Sequence, residues 1–249
     1  MKTLLLPCVA LVLAFATLAP AKVTEKFSQT YPLEANGSIR LENVNGSVEI
    51  VGWDKNEVSL EAEKTARDQE GLDRMHLKID SSPRRLAIKT DYEKKWKFWE
   101  TMNAQVHYKL RVPATATLDK IDVVNSSIHV TGVKGSVDLE AVNGGIEADG
   151  LTGAGTFETV NGSVRVAYAS MPASGSISLE TVNGSCKLTL PANAAFDLDA
   201  DTVNGRVSCD FPITLESSGK RELRGAVNGG GTRVELESVN GGLAVEKGK

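Results

Sequence analysis

Past its N-terminal segment this chain has no long apolar run, few cysteines, few histidines and no excess of base. Each shortage closes off a class of answer. Of three cysteines in 249 residues, only Cys186 and Cys209 lie beyond that segment, so a cysteine-dense scaffold is excluded and stability must come from a core. The three histidines, His76, His107 and His129, are widely separated, and neither a His-x-x-x-His nor a Cys-x-x-Cys pattern offers zinc a ligand set. A formal net charge of −4 argues against a nucleic-acid partner. No Gly-x-Ser-x-Gly elbow occurs, and Ser218-Gly219-Lys220 lacks the glycine spacing of a phosphate loop. The sequence therefore nominates no catalytic residue, no metal and no cofactor.

The one apolar run is N-terminal. Met1-Lys2 gives a positive start, Leu4 to Ala19 is apolar apart from Pro7, and Ala19-Pro20-Ala21 has the small-x-small pattern of a signal-peptidase site. Residues 1–21 read as a removed export signal. The run is short for a retained membrane helix, which wants about 20 apolar residues, and Cys8 stands too early in it to carry a lipid anchor. The expected product is exported, whether periplasmic, cell-surface or secreted, with no stable transmembrane segment after signal removal.

What the chain does have is repetition. Val-Asn-Gly occurs seven times, at Val44, Val142, Val160, Val182, Val203, Val227 and Val239, and Val124-Asn125-Ser126 is a near copy. Aligned on the Asn, a nine-residue half-unit starts at 36, 45, 125, 134, 143, 152 and 161 and, after a longer step, at 174, 183, 193 and 204. Apolar residues three and five places later, such as Val48/Ile50, Val137/Leu139, Val164/Val166 and Leu243/Val245, mark strands with one buried face. Asn-Gly between alternating runs is ordinarily a hairpin signal, so a meander of antiparallel hairpins is the rival. Two features favour stacking instead. From 125 onward the Asn-Gly or its near copy falls at alternate half-units, 125, 143, 161, 183 and 204, and Val precedes each of these Asn residues, as if one apolar residue turned inward at a common corner. Two half-units, about 18 residues, then make one coil of a β-solenoid with equivalent corners at the roughly 4.8 Å strand spacing. Asn45, Asn125, Asn143, Asn161, Asn183, Asn204 and Asn240 become a corner ladder of stacked amides.

Between Trp53 and Val112 the repeat lapses. Glu57 to Glu63, Leu86 to Thr90 and Gln105 to Val112 read as strands and Asp68 to His76 as a helical turn. This predicts an antiparallel segment beside the first coils that covers one end of the stack. The expected division is signal peptide 1–21, first coil strands plus irregular antiparallel cap 22–113, and solenoid repeats 114–249.

An export signal, the early Asn36 to Ile50 strand pair, an irregular middle, and the Tyr108-Lys109-Leu110-Arg111-Val112-Pro113 strand leading into the repeats together resemble the DUF4097 adhesin-like β-strand-repeat family of exported bacterial proteins. The resemblance covers essentially the whole chain after residue 21, with Asn-Gly where that family usually has Ser-Gly. It implies an all-β fold, a right-handed parallel β-helix or β-solenoid with an irregular antiparallel N-terminal segment. It brings no catalytic residues with it.

Outward positions were weighed for chemistry. Four places after each Asn stand His129, Glu147, Arg165, Lys187 and Ser208, of mixed sign; the other face carries Asp138, Glu140, Glu158, Glu180, Asp197 and Asp199. That acidic stripe reads as a solvated face, because Asp197, Asp199 and Asp201 alternate along one strand at roughly 7 Å, too spread for one Ca²⁺. Cys186 and Cys209 fall inward in successive coils about 8 Å apart, beyond the usual limit of about 7 Å for a disulfide; two buried free thiols are predicted, and a bridge would need a one-residue bulge. Tyr92, Lys94, Lys95, Trp96, Lys97, Phe98 and Trp99 concentrate aromatics and cations, suited either to contact with glycan, wall polymer or membrane interface or to packing over the solenoid end. The reading that follows is an exported non-enzymatic envelope or surface interaction module with a protein or glycan partner. A glycan-acting enzyme on a β-helix and an accessory protein of an envelope-stress response are the alternatives.

Overall fold

Alternating burial governs most of the described strands. The computed structural model describes residues 22–92 and 104–248. Its N-terminal part contains β1 (Val23–Pro32), β2 (Ser38–Trp53), β3 (Glu57–Ala66), the short α1 (Gln69–Asp73), β4 (Met75–Ser82), β5 (Arg85–Tyr92) and β6 (Gln105–Pro113). A long β7 (Thr117–Thr131) leads to β8 (Val137–Asn143), β9 (Ile146–Leu151), β10 (Gly155–Asn161), β11 (Val164–Tyr168), β12 (Ser176–Asn183) and β13 (Cys186–Leu190). The C-terminal part adds β14 (Phe196–Thr202), β15 (Val207–Cys209), β16 (Ile213–Ser218), β17 (Glu222–Val227), β18 (Thr232–Asn240) and β19 (Leu243–Lys247).

The repeats stack in parallel, not as hairpins. β8, β10, β12, β18 and β14 pair side by side in parallel on one face, and β9, β11, β13, β19 and β15 do so on the other. The β-solenoid is thereby established and the meander excluded. Apolar residues of both faces, among them Ile39, Leu41, Val137, Leu139, Phe157, Phe196 and Val245, interlock in one core; each side chain of this size contributes about 1.5–3 kcal/mol by burial.

Stacking order departs from chain order. β18 and β19 insert between the β12–β13 coil and the β14–β15 coil. The chain first builds its terminal coil, reverses through β16 and β17, and then fills the gap. The β16–β17 hairpin lies antiparallel against β14 and closes that end.

At the N-terminal end the pairing is mixed. β5 and β6 run parallel to the two halves of β2 and so form a coil of their own, whereas the sequence suggested that this whole region pairs antiparallel. β4 against β5, and β3 against both β6 and β1, supply the antiparallel strands. Asp68 caps α1, its Oδ1 accepting from Gly71 N at 2.9 Å, and Leu72 and Met75 seal the core beneath. Antiparallel strands thus terminate the N-terminal end and, at the other end, the face that ends in β14, which protects those edges from pairing with other chains; on the second face the short β15 is the last strand.

Candidate contact surface

Three concentric ladders build the corner. Outermost, the amides join coil to coil: Asn125 Nδ2 donates to Asn45 Oδ1, Asn143 to Asn125, Asn161 to Asn143, Asn183 to Asn161, Asn240 to Asn183 and Asn204 to Asn240, each at 2.9 Å. Asn240 sits between Asn183 and Asn204, as the inserted coil requires. Inside this row, in four coils, the hydroxyl two residues before the Asn donates to the glycine carbonyl of the adjoining coil. Thr159 reaches Gly144 O at 2.9 Å, Thr181 Gly162 O at 3.0 Å, Ser238 Gly184 O at 3.2 Å and Thr202 Gly241 O at 2.9 Å. In the first coil Asn43 substitutes, donating to Val106 O at 3.0 Å while its Oδ1 accepts from Thr90.

Glycine forms the third row. A Cβ on Gly162, Gly184 or Gly241 would land on the carbonyl oxygen of the glycine in the next coil. These glycines are needed for close approach, and their φ values are ordinary. The copy at Val227 behaves differently: Asn228 has φ 51° and Gly229 88°, the left-handed turn that Asn-Gly adopts in hairpins.

The valine of the repeat does not turn inward at the corner. Val142, Val160, Val203 and Val239 are exposed, while Val227 in the true turn is buried. The inward corner position belongs instead to Thr159, Thr181, Thr202 and Ser238 in four coils, where a small hydroxyl both fits and satisfies the neighbouring carbonyl, and to Asn43, Val123 and Ala141 in the others. A Thr or Ser two places before Asn-Gly was the available signal.

The cysteine geometry also needs correction. Cys186 and Cys209 both register against β19, from opposite sides, so they lie two coils apart, about 9.6 Å across the strands, rather than in successive coils. Both thiols are free; Cys186 is buried and Cys209 half-buried on the terminal coil. Burial pushes the Cys186 thiol up to about 12, which leaves it protonated and unreactive.

Outward side chains fall into ranks across the coils. On the face before the corner, Glu42, Asp122, Glu140, Glu158, Glu180, Glu237, Asp201 and Glu222 stand in register on adjacent strands. Lys89 ends the row in an ion pair with Glu42. Partial burial first, and then carboxylate neighbours, raise the pKa of Asp122, Glu158 and Glu237. The face after the corner presents Glu61, Lys109, Glu49, His129, Glu147, Arg165 and Lys187 in sequence across its strands. Lys109 stands between Glu49 and Glu61, its Nζ 3.8 Å from Glu49, which is an ion pair on a sheet surface rather than two carboxylates facing across a cleft. Among the described residues no group of three or more His, Cys, Asp or Glu is placed to hold a metal.

Of the aromatic-lysine segment, Tyr92 ends β5 and its hydroxyl is buried, with a pKa raised by that burial. Lys94, Lys95, Trp96, Lys97, Phe98 and Trp99 lie outside the described residues. The third tryptophan, which sequence reasoning passed over, flanks an open depression of about 450 Å³. Trp53 donates its Nε1 proton to Glu57 O at 2.8 Å and carries Lys55 Nζ 4.8 Å over its ring.

Residues 114–246 match the family described as Toastrack DUF4097. The chain belongs to that family. The Toastrack repeats thus span the coils from β7 to β19. A crystal structure of a candidate cell adhesion protein from Clostridium sporogenes aligns with a TM-score of 0.53 at 11% identity, over 90% of this chain and 100% of that one. A candidate adhesin from Bacteroides fragilis gives 0.43 at 10% identity, over 90% of this chain and 97% of the other. At such identities the first shows a common fold alone. No curated protein matches the sequence. No helix among the described residues of this Toastrack chain is long and apolar enough to cross a membrane.

Proposed function

We propose that this Toastrack protein is exported and acts, without catalysis, as an interaction module of the cell envelope or cell surface. The observation that carries the reading is the unbroken amide ladder, six equal hydrogen bonds that lock seven corners into one rigid edge. Such an edge fixes two broad faces on which like positions repeat at strand spacing. A surface of this kind suits many parallel contacts with an extended partner, and the description of the Clostridium sporogenes neighbour as a candidate cell adhesion protein agrees with it.

The proposed contact is Tyr92 to Trp99. β5 and β6 run parallel to the two halves of β2, on either side of its Asn43–Gly46 corner, and Tyr92 ends β5. The test is a glycan array with a reducing-sugar release assay on the same glycans. Binding without release is expected, with Trp96→Ala/Trp99→Ala losing binding at unchanged melting temperature. Release of reducing sugar would replace this reading with a glycan-acting enzyme, and collapse of the double variant's fold would make the segment a cap.

A further inference from the structure

On the face after the corner, one coil begins with almost no outward side chains, Glu246 being its first large one. Two and four places after Asn240 stand Gly242 and Ala244, whereas β13 carries Lys187 after Ser185, and β15 carries Ser208 after Arg206. Ala244 registers between Lys187 and Ser208, and Leu243 N donates to Arg206 O at 2.9 Å. The missing side chains leave a trough of about 340 Å³, floored by Gly242 and Ala244 and bounded by Lys187 and Arg206, with Ser163 and Arg165 one coil further.

The trough's charge is opposite to that of the chain. No carboxylate lines it, although the protein as a whole carries a net charge of −4. Lys187 Nζ is held by Glu246 at 2.8 Å, but Arg165 and Arg206 make no ion pair among the described residues. Two guanidinium groups therefore face one short trough with no ion-pair partner among the described residues, Glu147, in register with Arg165, and Glu246 both standing outside its lining. Beneath its floor Cys186 and Leu243 are packed at 0% and 1% exposure, so no slot opens inward for an acyl chain.

We propose that this trough binds the sulfate or phosphate group of a polysaccharide. Planar guanidinium forks match such oxyanions with paired hydrogen bonds, and Ser163, Ser185 and Ser208 add hydroxyl donors around the rim. The bounding strands β13 and β15 are two spacings apart, about 9.6 Å, and the volume is at the low end of small-ligand sites, roughly 300–1,000 Å³. A single sugar ring with its substituent fits this space, and the flat coil on which it lies lets the polymer continue to either side. The site is lined from the strands β11, β13, β15 and β19 and the residues beside them, and does not depend on the aromatic segment.

Calorimetric titration of the full chain with dextran sulfate, neutral dextran and phosphatidylglycerol vesicles tests the assignment. Dextran sulfate binds and neutral dextran does not. Arg165→Gln/Arg206→Gln weakens the dextran sulfate Kd about tenfold or more, Ala244→Glu removes binding by filling the floor with a carboxylate, and Trp96→Ala/Trp99→Ala leaves the Kd unchanged. A matched loss of two exposed guanidinium groups elsewhere, Arg67→Gln/Arg85→Gln, keeps the Kd within about twofold. Equal weakening by both arginine pairs, unaltered binding in Arg165→Gln/Arg206→Gln, or binding to the vesicles in place of dextran sulfate would overturn it.

Discussion

The two broad faces of the solenoid carry opposite solutions to one problem. Before the corner, eight acids stand side by side from Glu42 to Glu222; after it, Glu61, Lys109, Glu49, His129, Glu147 and Arg165 mix their signs. Parallel in-register stacking brings each position of a repeat against its own copy, so a retained carboxylate must meet another carboxylate. Like charges directly opposite each other on neighbouring strands cost about 0.2–1 kcal/mol per pair. The mixed face avoids that cost, with Lys109 near Glu49 and His129 Nδ1 3.4 Å from Glu147. On the acidic face Lys89 and Lys120 pair with Glu42 and Glu140 near one end of the row, but Glu158, Glu180 and Glu237 meet only other carboxylates along it, which assigns the register of those coils to the core and to the corner between the faces.

Substitutions at the corner break the comparison most severely, because both faces depend on it. Gly184→Ala places a Cβ on the Gly162 carbonyl oxygen and is expected to cost roughly 3 kcal/mol or more. Its urea midpoint drops sharply or the protein fails to fold, while Ser185→Ala next to it stays near the parent. Thr181→Val keeps the shape but leaves Gly162 O without the 3.0 Å bond it accepts, for a loss of about 2 kcal/mol. Asn161→Ala removes two amide bonds on an exposed edge and costs about 1 kcal/mol. Amide hydrogen exchange should rise first in β10 and β11 on either side of it. A Thr181→Val variant as stable as the parent would remove the hydroxyl row from the account.

The fold was legible in the sequence because the repeat is a register mark. Val-Asn-Gly at fixed spacing, with apolar residues at Val48/Ile50 or Val164/Val166, specifies strand, corner and inward face together. Less legible was which copy stacks against which. Asn204 precedes Asn240 in the chain but lies beyond it in the stack, since the hairpin of β16 and β17 permits a reversal that local pattern does not encode. That reversal also moved Cys186 and Cys209 a coil further apart. The valine was misplaced for a different reason: apolar character suggested the interior, yet the inner seat is the residue before it, filled in four coils by a hydroxyl such as Thr181 or Ser238 that bonds the neighbouring glycine carbonyl. Of the surface, the acidic stripe was visible as composition. The Arg165–Arg206 trough was not, because it arises from Gly242 and Ala244 arriving between two coils that are distant in sequence.

The smallest expected effect bears most directly on the contrast between the faces. Glu158 and Glu237 both have pKa values raised by partial burial and by neighbouring carboxylates, so each binds its proton more tightly folded than unfolded. Stability linked to these groups is therefore fully present below the unfolded value, about 4.3, and is lost as pH rises through the raised folded value. Glu158→Gln/Glu237→Gln removes that loss. The variant should match the parent near pH 3.5 and exceed it by several tenths of a kcal/mol at pH 7, measured as urea midpoints at low salt. Adding salt to about 0.5 M should shrink the gap, since the row is solvent-facing and screened within a few ångströms. Arg165→Gln on the mixed face should show no such gain at neutral pH. If the double variant instead proves less stable than the parent at pH 7, the acids are stabilising one another through bound counter-ions, and the row would be an assembled cation surface rather than a tolerated repulsion.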